Sequence, residues 1–199
     1  MNAQAKEMII SNYRDLFQKH GDAAEATQMS SDGQRFRFQK LMAIADLRNR
    51  RVLDLGCGIG DFYPFLIEKF GQLDYTGIDL VPEMVAFAAQ KYPGARFLCR
   101  DISKDALAES FDYVLASVVF NNAMPDCDAY MREYLALAFK HCTLGLGFNF
   151  ISSHVNFTDP EMAYHDPAEV LDFCIRHLTR KVVVHHHYER VDVAVFAYR

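Results

Sequence analysis

Two predicted strands at the end of the chain are separated by only two residues, Glu189 and Arg190. The strands are KVVVHHHY (181–188) and VDVAVFAYR (191–199), which are rich in β-branched residues. Two residues are too few for the crossover helix that neighbouring parallel strands require. The strands must therefore pair as an antiparallel hairpin, which restricts the chain to folds that contain one.

Before this hairpin, predicted strands alternate with predicted helices. Strands are expected at 51–56, 74–79, 95–100, 111–117 and 144–152, with helices at 61–70, 82–91, 126–141 and 166–178. This alternation predicts an α/β fold with a mostly parallel sheet and helices on both of its faces. Counting the hairpin, the sheet has seven strands.

Two further helices are expected before the first strand, at 5–20 and 34–47. They are joined by the small and polar segment 21–33, which predicts a mobile connection. A chain of 199 residues suits one domain. Within it, we expect residues 1–50 to form helices that act as a lid over a ligand site. Residues 51–199 are expected to form the sheet core that binds the ligand.

The stretch VLDLGCGIGDF (52–62) places glycines at every second position after a strand. A nucleoside triphosphate loop would need a lysine, which is absent here, so that interpretation fails. A dinucleotide loop has the pattern GxGxxG, but Asp61 stands where its last glycine is expected and would repel a pyrophosphate. S-adenosylmethionine, a cation without phosphate, tolerates Asp54 and Asp61 nearby.

Two more acidic residues stand at the ends of the next two predicted strands. Asp79 could accept hydrogen bonds from both hydroxyls of a ribose. Asp101 could accept one from an adenine amino group, and Ile102 could cover the ring. Carboxyl ends of parallel strands meet at one edge of the sheet, so we expect these residues to share one site with the glycine turn.

The sequence resembles the class I S-adenosylmethionine-dependent methyltransferases, in particular small bacterial ones. VLDLGCGIGDF is similar to their first motif, GIDLVPEMVAFAAQKYP to their second-strand region and CRDI to their adenine-contacting segment. The closing hairpin is similar to the seventh strand of that family, which lies between the fifth and the sixth. The resemblance implies a three-layer Rossmann-like fold, S-adenosylmethionine as the cofactor and S-adenosylhomocysteine as its product.

The resemblance also implies which residues contact the methionine part of the cofactor. Backbone atoms of Gly56, Cys57 and Gly58 would contact it, and Gly60 would permit the close turn. The segment Gln34-Arg35-Phe36-Arg37-Phe38 is similar to one that precedes the first motif in the family. By that similarity, Arg37 would pair with the cofactor's carboxylate.

The remaining cofactor contacts follow the later motifs. By resemblance, Asp79 would hold the ribose. Leu80 and Met84 would flank the adenine, and Asp101 and Ile102 would contact it.

Candidate residues near the reacting methyl group come from three places. By resemblance, Ser117 and Val118 would line the cofactor near its sulfur. The loop 153–166 supplies His154 and His165 as candidate bases. Asn121, with its neighbour Asn122, follows the fourth strand and could orient the methyl acceptor. Tyr13 and Phe17 could form the apolar face of a lid, although their spacing is also typical of simple helix packing.

Composition restricts the partners. The net charge of -5 and the absence of a basic run argue against nucleic acid. No apolar run is long enough for a membrane span, and five isolated cysteines are typical of a reduced, cytoplasmic protein. His185, His186 and His187 lack evident further ligands, so no metal site is expected.

We therefore expect a cytoplasmic enzyme that methylates a small molecule at nitrogen, oxygen or carboxylate. Two alternatives stay open from the sequence. One is a catalytically silent S-adenosylmethionine-binding protein with a regulatory or interaction role. The other is a nicotinamide-dependent oxidoreductase, against which Asp61 and the closing hairpin argue.

Overall fold

The computed structural model describes residues 3–105, 107–186 and 191–199. Its strands are β1 Arg51–Leu55, β2 Asp74–Asp79, β3 Arg96–Cys99, β4 Phe111–Ala116, β5 Cys142–Ile151, β6 Val182–His185 and β7 Asp192–Tyr198. Its helices are α1 Ala3–His20, α2 Ser31–Leu41, α3 Phe62–Phe70, α4 Pro82–Lys91, α5 Cys127–His141 and α6 Pro167–His177. The predicted elements are therefore found in the predicted order, with ends that differ by a few residues.

The seven strands form one sheet in the order β3-β2-β1-β4-β5-β7-β6. The first five strands are parallel to one another, and β7 pairs antiparallel with both β5 and β6. The predicted α/β fold with a mostly parallel sheet and an antiparallel closing pair is confirmed. The predicted hairpin turn at Glu189 and Arg190, together with His187, lies outside the described residues.

The sheet separates two apolar cores, one on each face. One core is built around α5 and α6, and the second is built around α2, α3 and α4. The carboxyl ends of β1, β2, β3 and β4 lie at a common edge of the sheet, because these four strands are parallel. Loops that follow the four strands therefore meet at that edge.

Helix α1 lies over this edge rather than against either face of the sheet. Its residues Ile10, Tyr13 and Phe17 pack on a small cluster of Ile59, Val81 and Met84. These three residues belong to the loops that follow β1 and β2 and to the first turn of α4. The amphipathic pattern of α1 thus covers the edge where ligands bind in open parallel sheets.

The segment between α1 and α2 is more ordered than the predicted mobile connection. Ala24–Thr27 form a 3-10 turn, and Ala24, Ala26 and Met29 are buried. Small side chains allow this backbone to pack closely, so its polar composition was a poor guide. None of the helices in the described part of the chain combines the length and apolar character of a membrane-spanning helix.

Candidate functional site

A cavity of about 970 Å³, part of it open to solvent, lies at the carboxyl edge of β1 to β4 beneath α1. Ten of the twelve residues predicted to bind a cofactor line it: Gly56, Cys57, Gly58, Asp79, Leu80, Met84, Asp101, Ile102, Ser117 and Val118. We distinguish two parts of the lining. The β1–β3 side consists of the turn 56–60, Asp79 and Asp101, and the β4 side consists of Tyr13, Ser117–Val119 and Asn122.

The turn after β1 depends on glycine at three places. Gly56, Gly58 and Gly60 have φ values of +74°, +54° and +81°, which side chains other than glycine rarely adopt. A Cβ atom on Gly58 would lie 2.8 Å from Thr27, and one on Gly60 would lie 2.9 Å from Phe97. Gly60 itself lies outside the cavity lining, so the structure gives it a packing role in the turn.

Asp79 holds the turn with both of its carboxylate oxygens. One oxygen accepts a hydrogen bond from the backbone N–H of Gly58 (2.9 Å), and the other accepts from that of Val81 (3.0 Å). Burial raises the pKa of Asp79, although these hydrogen bonds counteract it. Each carboxylate oxygen can accept more than one hydrogen bond, so Asp79 can still accept from a ligand hydroxyl.

Asp101 is paired more fully. One of its oxygens accepts from Nζ of Lys6 on α1 (2.7 Å), and the other accepts from the Tyr134 hydroxyl (2.8 Å) and from Ser103. Burial alone would raise the pKa of Asp101, but these donors outweigh it and hold the pKa well below its usual range. The ion pair with Lys6 ties the first turns of α1 to the end of β3.

Two further carboxylates line the cavity near the turn. Asp54 on β1 accepts a hydrogen bond from the Tyr75 hydroxyl (2.6 Å), and burial raises the pKa of Asp54 to about 7. Asp61 pairs with Lys91 (2.8 Å) and accepts a longer hydrogen bond from Gln34 (3.3 Å). Asp61 is therefore neutralised by a cation, whereas Asp54 has no cationic partner among the described residues.

Arg37 lies outside the cavity lining. Its guanidinium pairs with Asp192 at the start of β7 (2.7 Å), and Asp192 is only 1% exposed. One turn earlier on α2, Gln34 does line the cavity. The predicted contact of Arg37 with a ligand carboxylate stays a prediction, and it would require Arg37 to leave a buried partner.

The three predicted catalytic residues also lie outside the lining, although their neighbours reach it. His154 is an exposed loop residue, and Asn121 is buried beside Asn122, which does line the cavity. The backbone of Asn121 accepts a hydrogen bond from Ala163 N–H, which ties the loop after β4 to the loop after β5. Their catalytic roles therefore remain untested predictions.

His165 connects the same two loops through its ring. Nε2 lies 2.9 Å from the carbonyl oxygen of Phe120, and Nδ1 lies 2.6 Å from a carboxylate oxygen of Asp128. Both ring nitrogens therefore lie within hydrogen-bond distance of an oxygen atom from another part of the chain. His165 is buried, and its side chain connects the loop after β5 to the loop after β4 and to the first turn of α5.

Cys127, Asp128 and His165 each place a ligand atom within 4.8 Å of the others. A metal would need a nitrogen lone pair of His165. Both nitrogens already lie within hydrogen-bond distance of an oxygen atom, so the ring is engaged by contacts within the protein rather than open to a metal. Of the histidines at 185–187, for which no metal site is expected, His187 lies outside the described part of the chain.

The β4 side contains a strained residue. Val118 has φ of +65°, an unusual value for a β-branched side chain that costs about 1–3 kcal/mol. Its backbone N–H donates to Oδ1 of the buried Asn149 on β5 (2.7 Å). This hydrogen bond holds the bend that turns the chain from β4 towards the cavity.

Tyr13 and Asn122 meet on the β4 side, although neither residue has a strong functional signal in the sequence. Nδ2 of Asn122 donates to the Tyr13 hydroxyl (2.9 Å), and this hydroxyl donates to Oε1 of Gln28 (3.3 Å). Burial raises the pKa of Tyr13 to about 12. The only sequence signal was the apolar stripe of α1, which does not say what the helix covers.

Comparison with known proteins gives three relevant similarities. Residues 52–138 match a family described as a methyltransferase domain. A Mycobacterium tuberculosis protein named "Putative methyltransferase Rv1506c" is 32% identical over 147 residues, which are 69% of this chain and 86% of that protein. Trans-aconitate 2-methyltransferase of Rhizobium etli is 31% identical over 83 residues, which are 42% of this chain and only 32% of that enzyme.

Among solved structures, the fold is similar to magnesium protoporphyrin IX methyltransferase of Synechocystis PCC 6803 with bound SAH. The TM-score is 0.69 at 15% identity, and the alignment covers 98% of this chain and 95% of that one. At this identity the similarity concerns the fold alone.

Proposed function

The chain belongs to the class I S-adenosylmethionine-dependent methyltransferases. We therefore propose that it methylates a small molecule at a nitrogen atom, an oxygen atom or a carboxylate group. One observation carries the proposal. The glycine turn, Asp79 and Asp101 follow three neighbouring parallel strands and line a single cavity. This is the edge of an open α/β sheet at which ligands bind.

The residues of the cavity fit an adenosyl ligand. Gly58 lines the cavity with its backbone, and a Cβ atom there would clash with Thr27. Asp79 has lone pairs to accept from ribose hydroxyls, and Oγ of Ser117 has no hydrogen-bond partner in the described structure. We propose that the turn holds the methionine part, Asp79 holds the ribose and Asp101 lies at the adenine.

When bound, S-adenosylmethionine supplies a methyl group that its positive sulfur has already activated. Much of the catalytic work of the chain is then alignment and the exclusion of water. Helix α1 covers the cavity and is held at the end of β3 by Lys6 and over the β4 side by Tyr13. Asp54 and Asp79 have no cationic partner among the described residues, and they favour a positively charged ligand beneath this cover.

The cover over the cavity supports a small acceptor. Ile9 and Tyr13 of α1 line the cavity together with the loops that follow β1 to β4. The trans-aconitate 2-methyltransferase among the relatives also has a small molecule in its name, although this chain spans only 32% of that enzyme. A polymeric acceptor would need an open groove, and α1 lies across this edge.

Calorimetric titration tests the proposal. Purified protein should bind S-adenosylmethionine and S-adenosylhomocysteine with micromolar affinity and should not bind NADH. Release of S-adenosylhomocysteine in the presence of small acceptors then measures methyl transfer. Binding of NADH alone would overturn the assignment, and cofactor binding without turnover over a broad acceptor set would indicate a silent binding protein.

A further inference from the structure

The β4 side of the cavity presents an unpaired hydrogen-bond acceptor. Asn122 is 9% exposed and lines the cavity, and its Nδ2 is used by Tyr13. Its Oδ1 has no hydrogen-bond partner among the described residues, and it is an acceptor only. Resting on the function proposed above, we propose that the methyl acceptor is an amine on an apolar body and that Oδ1 of Asn122 receives its N–H.

The amide of Asn122 is part of a short hydrogen-bond chain. The Tyr13 hydroxyl donates to Oε1 of Gln28 and accepts from Nδ2 of Asn122, which leaves Oδ1 of Asn122 outside the chain. The backbone of Asn122 also pairs with Met162 in the loop after β5. Oδ1 is thus held as the free acceptor, and a ligand group that meets it must be a donor.

The charges of the cavity disfavour a carboxylate acceptor. The lining contains the carboxylates Asp54, Asp61, Asp79 and Asp101, and its one described basic residue is Arg100. Arg100 follows β3, which is separated from β4 by β2 and β1. An anionic acceptor at the β4 side would meet an amide oxygen and no nearby cation among the described residues.

The protonation states favour nitrogen over a hydroxyl. The four carboxylates of the lining stand at the ends of β1, β2 and β3 rather than on the β4 side, and no described histidine lines the cavity. On the β4 side, burial keeps the Tyr13 phenol protonated at neutral pH by raising its pKa to about 12. A hydroxyl acceptor needs a base to take its proton as the bond to carbon forms. A neutral amine needs none when it attacks.

The transfer is balanced without such a base. The amine nitrogen forms the N–C bond with its lone pair, and the methyl carbon–sulfur bond breaks with its electron pair staying on sulfur. The products are S-adenosylhomocysteine and a methylated ammonium, which then loses its proton to water. The side chains of Ile9, Phe38 and Val119 also line the cavity and suit an apolar or aromatic body.

Sets of three matched acceptor compounds test the inference. The compounds of one set share a skeleton and carry an amine, an alcohol and a carboxylate, respectively. The skeletons are phenyl, naphthyl, indolyl and octyl. Two quantities are measured: release of S-adenosylhomocysteine from S-adenosylmethionine, and calorimetric binding of each compound to the protein saturated with S-adenosylhomocysteine. We expect the amine to be preferred within the best skeleton.

Variants connect this preference to the residue. Asn122→Leu has a similar shape but no acceptor oxygen and should weaken amine binding by about tenfold, or about 1.4 kcal/mol. Tyr13→Phe leaves Asn122 in place but releases its orientation, and it should weaken amine binding by a smaller factor. Asn12→Ala, an exposed change beside Tyr13 on α1, should have no effect.

The outcomes separate this inference from the proposed function. Failure to bind S-adenosylmethionine would overturn the function itself. Three results, each with normal cofactor binding, would overturn the amine assignment alone. The protein could prefer the alcohol or the carboxylate, or it could bind no amine. The third result is amine binding that neither Asn122→Leu nor Tyr13→Phe changes.

Discussion

The two sides of the cavity are built in different ways. On the β1–β3 side, the turn 56–60, Asp79 and Asp101 are each connected directly to the end of a strand, so position in the chain determines position at the edge. On the β4 side, Tyr13 and Asn122 meet across 109 residues. The comparison teaches that a strand-end motif can be found by inspection, whereas a contact between a cover helix and a loop cannot.

Helix α1 is the element that joins the two sides. Lys6 contacts Asp101 and Tyr13 contacts Asn122. The two residues are seven positions apart, a rise of about 10.5 Å along a helix. The predictions below test each side and then this connection.

The largest effect is expected at the turn itself. Gly60→Ala should lower the free energy of unfolding by about 2–5 kcal/mol, because it adds a left-handed backbone penalty to a clash with Phe97. Gly21 has φ of +58° with open space around it, so Gly21→Ala isolates the backbone penalty at about 1–2 kcal/mol. Urea denaturation measures both, and equal losses would contradict the packing role of Gly60.

The next effect concerns pH. Burial raises the pKa of Asp54 from 3.8 to about 7, so its folded form favours the proton. Its contribution to stability is complete below pH 3.8 and is lost as the pH rises to 7. The stability of the native protein relative to Asp54→Asn should therefore fall by about 2 kcal/mol between pH 5 and 7.

Urea denaturation of both proteins at pH 5, 6, 7 and 8 checks this prediction. The difference between them should level off above pH 7. A difference that stays constant from pH 5 to 7 would show that Asp54 is ionised without cost.

A smaller effect is expected for cofactor affinity. Asp79→Ala removes the carboxylate that accepts from Gly58 and Val81, and it should weaken S-adenosylmethionine binding at least about tenfold, or about 1.4 kcal/mol. Asp15→Ala, an exposed change on α1, serves as the control. Calorimetry on folded protein decides, and unchanged affinity would remove Asp79 from the site.

The smallest effect is expected at the connection between the two sides. Lys6→Met breaks an ion pair in which Lys6 is 22% and Asp101 4% exposed. Because Tyr134 and Ser103 still donate to Asp101, we expect the loss to be about 1 kcal/mol. S-adenosylmethionine should dissociate up to about fivefold faster in stopped-flow experiments. Lys19→Met, an exposed change on the same helix, should leave the dissociation rate unchanged. Equal rates for both variants would show that the contact of α1 with Asp101 does not slow dissociation of the cofactor.

Much of the fold was predictable because its signals are local. The alternation of strands with helices and the two-residue gap before the last strand predicted the seven-stranded sheet. The start of β5 at Cys142, earlier than expected, follows from α5, which ends at His141 and passes directly into the strand.

The positions of site side chains were predictable only where the residues lie close to a strand end. Ten residues predicted near the strand ends line the cavity, whereas Arg37 pairs with Asp192 and His165 pairs with Asp128. Arg37 and His165 lie far in the chain from the partners that the fold gives them. Residue type alone could not distinguish a buried structural ion pair from a functional contact.

The sequence by itself determined the class of fold, the glycine turn and the carboxylates of the β1–β3 side, because covalent connection to parallel strands leaves these groups only one edge to occupy. The tertiary structure alone decided what α1 covers, which histidine is clasped between loops, and that Asn122 keeps an unpaired oxygen in the cavity. These outcomes depend on contacts between distant segments, and no local pattern records the geometry of such contacts.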